Sequence, residues 1–326
     1  MKKTVSTLLA IFLLLFLSAS GYTEQFAEQH TEQKNGKSIA LTLDDAPRSA
    51  NGYFDGKTRS EKLISMLQQK NVPQVAFFAV TSRLDQEGSE RLMRYANAGH
   101  IIANHTHTHP DFNQLSLAQY QSDFLAAHEE LKNYPNFRPW FRFPFLREGN
   151  TLEKRDGMRK LLKDMAYSNA YITQNNYDWY LESLFQQAVK NHAAIDMQAL
   201  RDLYVDIMMQ GIRYYDEMAI QHLQRSPKHI LLLHEMDITA LFLGDLIDQL
   251  RAEGWTIITP DEAFKDPIAS YKSSALFKFN PGRIGEIAKN SGQSKGLWHT
   301  SLEESYLKQQ FNDRVIKTVK EQSTPQ

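Results

Sequence analysis

The chain has 326 residues, with 37 Lys and Arg against 38 Asp and Glu, 42% hydrophobic residues and no cysteine. A formal charge of −1 gives no electrostatic case for binding nucleic acid. Without cysteine no disulfide can form, so the fold must hold by burial and hydrogen bonding, and this length suffices for one large domain with a substantial core.

The N-terminus reads as an export signal. Lys2 and Lys3 precede an apolar run over residues 8–17, and the small residues Ser18-Ala19-Ser20-Gly21 follow it. That run is too short to span a bilayer comfortably, so residues 1–21 are expected to be a cleaved signal peptide, with an uncleaved anchor as the alternative. The mature chain is then expected to be secreted or periplasmic, with no stable membrane span. Residues 22–37 are polar and Gln/Glu-rich and read as a flexible leader.

From residue 38 onward, apolar strand-like runs alternate with amphipathic helical stretches, the pattern of an α/β fold with a parallel sheet. Strands are predicted at 38–43, 74–80, 101–103, 140–143, 166–171, 230–233 and 256–258. Capping boxes at Thr58-x-x-Glu61, Ser116-x-x-Gln119 and Thr259-Pro260-x-Glu262 predict helix starts, the last with Pro at the first helical position. Periodicity alone leaves open both a (β/α) barrel and an open doubly wound sheet.

The first predicted strand ends in Asp44-Asp45. Buried carboxylates are costly unless paired or metal-bound, and two side by side need a cation to keep both ionised. The third strand runs into Asn104-His105-Thr106-His107-Thr108-His109-Pro110. Neutral imidazole is the commonest protein ligand for a divalent metal. Four residues apart, His105 and His109 would share a helix face; on a strand, His107 would join them. Pro110 disfavours helix at His109, which points to a strand end running into a turn. The spacing does not choose which two bind. One carboxylate with two imidazoles makes a three-ligand set that leaves room for water or substrate, and the second carboxylate is then free to act as a base. His234 closes another apolar strand, where a satisfied core histidine is the competing reading.

Leu43-Asp44-Asp45 and His105-Thr106-x-x-His109 resemble the first two motifs of the polysaccharide deacetylase family, also called the NodB homology domain or carbohydrate esterase family 4. Arg142-Phe143-Pro144-Phe145 is similar to the third motif, Asn175-Asn176-Tyr177-Asp178-Trp179 to the fourth and Leu231-Leu232-Leu233-His234 to the fifth, all in the family's order. The resemblance covers residues 38–267, read as a NodB-like catalytic domain. It implies a distorted (β/α) barrel of about seven parallel strands, with catalytic groups gathered at the C-terminal strand ends.

The resemblance also implies roles. Asp44 would be the general base, and Asp45, His105 and His109 the metal ligands. Zinc is the expected ion, with Co2+, Ni2+ and Mn2+ suiting the same donors. His234 would be the acid, Arg142 would hold Asp44, and Asp178 would orient His234. Tyr177 and Trp179 would wall the acetyl pocket, and the backbone N–H of Phe145 would help hold an oxyanion. His107 is left with a second-sphere or surface place. Three positions depart from the usual pattern. Phe145 stands where tyrosine is more usual, Leu146 where some members have glycine, and Asn175 where aspartate is often found.

Residues 181–225 exceed what a simple crossover needs. Leu200, Leu203, Tyr204, Ile207 and Met208 fall at helical spacing, which predicts two packed helices flanking the cleft and helping to choose substrate. Residues 268–326 read as a helical C-terminal extension. Asn280-Pro281 and the capping box Ser301-x-x-Glu304 suggest two helices there, the second reaching about Glu321. The expected activity is metal-dependent removal of N- or O-linked acetyl groups from a carbohydrate or cell-wall glycan. The alternatives are a metal amidohydrolase acting on a small non-sugar amide and a non-catalytic glycan-binding relative.

Overall fold

Seven short strands, all parallel, carry the fold in the computed structural model, which describes residues 36–317. The expected signal peptide and nearly all of the expected leader lie outside the described residues. The order along the chain is β1 (Ser38–Ala46), α1 (Gly56–Gln69), β2 (Ala76–Ala79), α2 (Gln86–Asn97), β3 (Ile101–Asn104), α3 (Leu117–Leu131) and β4 (Phe137–Phe141). It continues with α4 (Leu152–Asp164), β5 (Ser168–Asn169), α5 (Asp178–Lys190), α6 (Met197–Leu223), β6 (Lys228–His234) and α7 (Asp237–Ala252). After β7 (Thr256–Ile257) come α8 (Pro260–Ala263), α9 (Arg283–Asn290) and α10 (Glu304–Arg314).

Each predicted strand is present, with shifted ends. The sheet order is β5-β4-β3-β2-β1-β6, and β7 pairs with the first residues of β1. β5 contributes only two residues to its ladder. A few residues later the chain meets β6 instead: Thr173 and Gln174 donate to Ile230 O at 3.1 Å, and Leu232 N–H donates to Gln174 O at 3.2 Å. This interrupted contact closes the ring, so the sheet is a distorted barrel rather than an open doubly wound sheet.

Strands buried on both faces read as continuous apolar runs, which is why β2 is Ala-Phe-Phe-Ala and β6 contains Ile230-Leu231-Leu232-Leu233. Leu41, Leu43, Phe77 and Ile102 face outward, packing with Leu63 and Leu67 of α1 and Leu92 and Tyr95 of α2. Ala76, Phe78, Ile101 and Ala103 face the other way, against Trp140 and Phe264. By the same alternation Ala40, Thr42 and Asp44 share one face of β1.

Local signals account for most helix starts. Ser116 and Gln119 form the reciprocal capping box of α3, and Thr259 accepts from Glu262 N–H ahead of Pro260 in α8. Two expectations need correction. Asp55, not Thr58, caps α1: its carboxylate accepts from Thr58 N–H at 2.6 Å, so Thr58 sits inside the first turn. Ser301 does not cap the last helix either. It lies in a 3-10 turn (Thr300–Leu302) capped by His299, and α10 starts after Glu303. That helix ends at Arg314, short of Glu321, because the chain turns extended: Asp196 N–H donates to Val315 O and Lys317 N–H to Ala194 O, both at 2.9 Å.

The stretch 181–225 forms most of α5 and all of α6. Leu200, Leu203, Tyr204, Ile207 and Met208 are all buried, each apolar side chain contributing roughly 1.5–3 kcal/mol. α10 adds Leu307 and Phe311 to the same core, while Ile284, Ile287 and Ala288 of α9 pack with Ala40, Ile230 and Leu232. Among the described residues no helix is long and apolar enough to cross a membrane.

Candidate active site

Alternation along a strand would send Asp44 and Asp45 to opposite faces. Asp45 instead has φ 69°, a left-handed conformation that aspartate tolerates better than most residues, and the β1–β2 register shifts between Leu43 and Ala46. Both carboxylates therefore approach one imidazole. His105 Nε2 lies 3.7 Å from Asp44 Oδ2 and 3.9 Å from Asp45 Oδ1.

The histidine segment is a built turn. β3 stops at Asn104, whose Oδ1 accepts from Thr106 N–H at 2.8 Å, and Thr106 Oγ1 accepts from His109 N–H at 3.0 Å. Thr106 (φ 72°) and His109 (φ 58°) are both left-handed, and Asp123 of α3 accepts from the N–H groups of His107 and Thr108. This brings the His105 and His109 rings to 4.9 Å and places His109 Nε2 3.2 Å from Asp45 Oδ1. His107 turns away, with Nδ1 2.8 Å from Thr81 Oγ1 and 3.3 Å from Glu130. The face that a continued strand would share therefore excludes it.

Asp45, His105 and His109 each offer one donor atom, all within 4.8 Å of one another. His105 Nδ1 sits 2.8 Å from Arg142 O, a carbonyl that can only accept, so Nδ1 carries the proton and Nε2 keeps its lone pair for the cluster. Asp45 Oδ2 accepts from Arg48 Nη1 at 2.8 Å, whereas its Oδ1 is buried without a hydrogen-bond partner. A buried carboxylate oxygen lacking a donor is expensive. Two neutral imidazole nitrogens and one such oxygen suit a zinc-like ion.

Electrostatics follow from burial. Desolvation lowers His105 and His109 to about 4 against the pull of Asp45, leaving both neutral. Desolvation raises the Asp45 carboxyl, but His109, His234, His105 and Arg83 outweigh it and hold the group well below the usual carboxylate range. For Asp44 burial wins over Arg142, and its proton affinity rises.

Arg142, just past β4, is buried and anchored on several sides. Its Nη1 donates to Asp44 Oδ1 at 2.6 Å and to Thr42 Oγ1 at 2.7 Å, and Nε donates to Ala170 O at 2.9 Å. The guanidinium lies 4.0 Å over the Phe78 ring. Opposite it, Asp178 opens α5 and grips His234 twice: Oδ1 lies 2.7 Å from Nδ1, and Oδ2 accepts the His234 backbone N–H at 2.8 Å. Asn176 Oδ1 accepts the Asp178 backbone N–H at 3.0 Å, and the Asn176 side-chain amide donates to Leu232 O. Burial alone would lower His234, but Asp178, Asp45 and Asp44 together raise it to about 9, so it carries a proton at neutral pH.

Phe145 and Leu146 both have φ 56°, a strain of roughly 1–2 kcal/mol each for non-glycine residues. Phe145 is 55% exposed, and its ring lies 4.7 Å from that of His109. Trp179 helps line a cavity of about 510 Å³ together with Arg48, Gly52, Glu182, Gln186 and Lys190. Tyr177 packs 5.0 Å from Trp179 but does not line that cavity. Of the helical insertion, α5 borders the cavity, whereas α6 is committed to the core.

Sequence reasoning missed a buried charge cluster behind the centre. Glu235 accepts from Arg48 N–H at 2.6 Å and Tyr95 Oη at 2.8 Å, with Arg59 at 3.5 Å and Arg91 at 3.6 Å. Arg59 and Arg91 donate in turn to Arg48 O at 2.8 and 2.7 Å. The one local signal was an acidic residue directly after His234; nothing in the sequence marks Arg59 or Arg91 as its partners.

Residues 31–170 match the family model described as polysaccharide deacetylase. The chain is 27% identical over 162 residues to a peptidoglycan-N-acetylglucosamine deacetylase of Bacillus cereus, covering 48% of this chain and 52% of the relative. It is 26% identical over 271 residues to a bifunctional xylanase/deacetylase of Pseudobutyrivibrio xylanivorans, covering 81% of this chain and 36% of the relative. The matches thus span about half or less of those relatives' lengths. A solved peptidoglycan deacetylase, PdaC from Bacillus subtilis, superposes with a TM-score of 0.46 at 20% identity, covering 71% of this chain and 93% of that one.

Proposed function

We propose that this chain, whose residues 31–170 match the polysaccharide deacetylase family model, is a metal-dependent hydrolase that removes N- or O-linked acetyl groups from a carbohydrate, with a cell-wall or other extracellular glycan as substrate. The observation that carries the reading is convergence. Asp45, His105 and His109 offer three donors within 4.8 Å, with the Asp44–Arg142 pair and the His234–Asp178 pair beside them.

Asp45, His105 and His109 would hold the ion, zinc being the expected one among first-row metals. When bound, such an ion polarises the acetyl carbonyl and acidifies water. The remaining work falls to the chain's own groups. Asp44 Oδ1 is tied to Arg142, leaving Oδ2 to accept the proton of the attacking water, and burial raises its proton affinity toward that task. His234 enters protonated and gives its proton to the departing amine or alkoxide, while Asp178 fixes the ring and favours its reprotonation from solvent afterwards. The Phe145 backbone N–H is the proposed oxyanion donor, since a backbone donor does not depend on the tyrosine that is more usual there. Trp179 and Tyr177 are the proposed walls of the acetyl pocket. Secretion or periplasmic placement rests on the N-terminal sequence pattern.

Acetate release tests the reading. Acetylated oligosaccharides carrying amides and esters are incubated with zinc or cobalt, then with a chelator. Release that the chelator abolishes is expected; no release from either linkage with metal supplied would sink the assignment.

A further inference from the structure

Phe145 and Leu146 lie in a turn closed by two backbone bonds: Leu146 N–H donates to Phe143 O at 2.9 Å and Arg147 N–H to Pro144 O at 3.1 Å. Glycine would adopt φ 56° freely, but a leucine held there persists only where its surroundings over-determine it. The Phe145 ring is 55% exposed and gives the turn no anchor in the core. Leu146 does. Its side chain packs on the cluster that holds Ile172, Ile284, Ile287, Leu297 and Leu302. The last four belong to the C-terminal extension, and all five lie outside residues 31–170.

Ile172 is the link between the two. From the barrel side its segment is fixed by Ala170 N–H, which donates to Phe141 O at 2.8 Å, and by Arg142 Nε, which donates to Ala170 O at 2.9 Å. From the other side Arg283 N–H donates to Ile172 O at 2.8 Å. Gly282 comes so close that an added Cβ would stand 2.7 Å from Ile172 Cδ1, and its φ of +85° favours glycine as well. The buried Arg283 side chain pins this part of the extension, donating to Ile268 O and Tyr271 O at 2.7 and 2.8 Å. Leu146, Ile172, Gly282 and Arg283 border a gap of only about 20 Å³, room for about one water, so the turn has little space to relax into.

We propose that Leu146 is a positioning residue: it couples the C-terminal extension to the turn and thereby sets the place of the Phe145 N–H, the donor assigned above to the oxyanion. This rests on the reading of the adjacent centre as a deacetylase. The extension is then part of the reacting unit and not a separate appendage. A glycine at position 146 would suit the backbone but release the turn from the core.

The test uses the full chain with Leu146→Gly, Leu146→Met and Gly282→Ala. In chelator-treated protein, amide hydrogen exchange reports the turn without any turnover. Protection of the amides at 146 and Arg147 should fall about tenfold in Leu146→Gly and in Gly282→Ala, and stay near the wild-type value in Leu146→Met. With zinc supplied, kcat for acetate release should fall about tenfold in Leu146→Gly at unchanged KM, part of the roughly 10²–10³ lost when an oxyanion donor is removed outright. Leu146→Met should restore it. Relief of left-handed strain and loss of apolar contact move the unfolding midpoint in opposite directions, so a merely structural Leu146 would shift the midpoint and leave kcat alone. Unchanged protection in Leu146→Gly or in Gly282→Ala, or a loss of activity carried by KM alone, overturns the proposal. Lost protection in both variants, with no acetate release from wild type, would leave the anchor standing and reject the deacetylase reading.

Discussion

Asp44 and His234 are register partners on the neighbouring parallel strands β1 and β6, and Glu235 N–H donates to Asp44 O at 3.1 Å just beyond them. The proposed base and the proposed acid are thus set by the sheet itself, each with one buried partner of opposite charge: Arg142 for Asp44 and Asp178 for His234. The sheet fixes their spacing, and the partners separate their proton affinities.

That division predicts the effect of Asp178→Asn. Asp178 is the main group opposing burial at His234, so its neutralisation should drop the imidazole from about 9 toward or below its ordinary value. A lower value means the protonated acid disappears at lower pH. The alkaline limb of the kcat profile should move to lower pH, and activity at pH 8 should fall roughly 10²–10⁴-fold, the range for losing a general acid. An unmoved alkaline limb would show that His234 is not the acid.

Metal stoichiometry separates the three histidines. His109→Ala removes a donor 3.2 Å from Asp45 Oδ1, whereas His107→Ala touches only the Thr81 and Glu130 contacts. After dialysis against zinc, elemental analysis should find about one ion per chain in wild type and in His107→Ala, and far less in His109→Ala. Equal loss in both variants would mean that the turn delivers a different pair from the one described.

The seven strands were legible because each is an apolar run broken by polar or turn residues, and burial on both faces leaves little else it could be. The closure of the barrel was not, since it depends on Thr173 and Gln174 meeting β6 after β5 has already ended. The five motifs marked which residues gather. How two adjacent carboxylates reach one centre was hidden in the left-handed backbone of Asp45, and likewise the choice of His109 over His107 in that of Thr106 and His109, all at non-glycine positions. The Thr58-x-x-Glu61 pattern satisfied the local capping rule, yet Asp55 three residues earlier supplies the acceptor. The Arg59–Arg91–Glu235 cluster draws on two helices and a strand end, and no local pattern predicts such a meeting.

Among the buried histidines, proton linkage favours the folded metal-free chain most near pH 6.5. Burial holds His100, His105 and His109 at about 4 in the folded state, against 6.5 unfolded. Between those values the unfolded chain binds more protons, so stability falls with acidification, each group contributing about 1.4 kcal/mol per pH unit. His234 has the opposite sign. Its folded value of about 9 contributes stability fully present below pH 6.5 and lost as pH rises through 9. Denaturant midpoints of chelated protein should therefore decline on both sides, more steeply on the acid side. Added zinc should raise the midpoint at pH 7 and cease to do so near pH 4, because the ligands must be unprotonated.

Arg142→Met tests the buried pair itself. It leaves the Asp44 carboxylate without its charge partner and Thr42 Oγ1 without a donor, in a site closed to water. Breaking one side of such a pair typically destabilises by about 3–5 kcal/mol, because the remaining charge stays buried. Equilibrium unfolding of the metal-free protein should register that loss. A double variant, Arg142→Met with Asp44→Asn, should recover part of it, since no lone charge is left behind. A double variant no more stable than Arg142→Met alone would assign the loss to the stacking of the guanidinium on Phe78 rather than to the ion pair.

Arg48 offers the last prediction. Its backbone is clamped by Glu235, Arg59 and Arg91, and its Nη1 holds Asp45 Oδ2 at 2.8 Å while Asp45 Oδ1 is left open toward His105 and His109. The arrangement orients the carboxylate to present one oxygen rather than two. Two effects compete when the guanidinium is removed: loss of that orientation weakens the ion, and loss of a nearby positive charge strengthens it. Partners that orient a ligand are typically worth 10–100-fold in affinity. Arg48 is partly exposed, so solvent screens its repulsion of the ion. Orientation should win, so Arg48→Ala is expected to weaken zinc binding roughly tenfold by competition with a chromogenic chelator. Arg48→Lys, which keeps the charge but not the fork, should fall between the two, and tighter binding in Arg48→Ala would show that repulsion dominates.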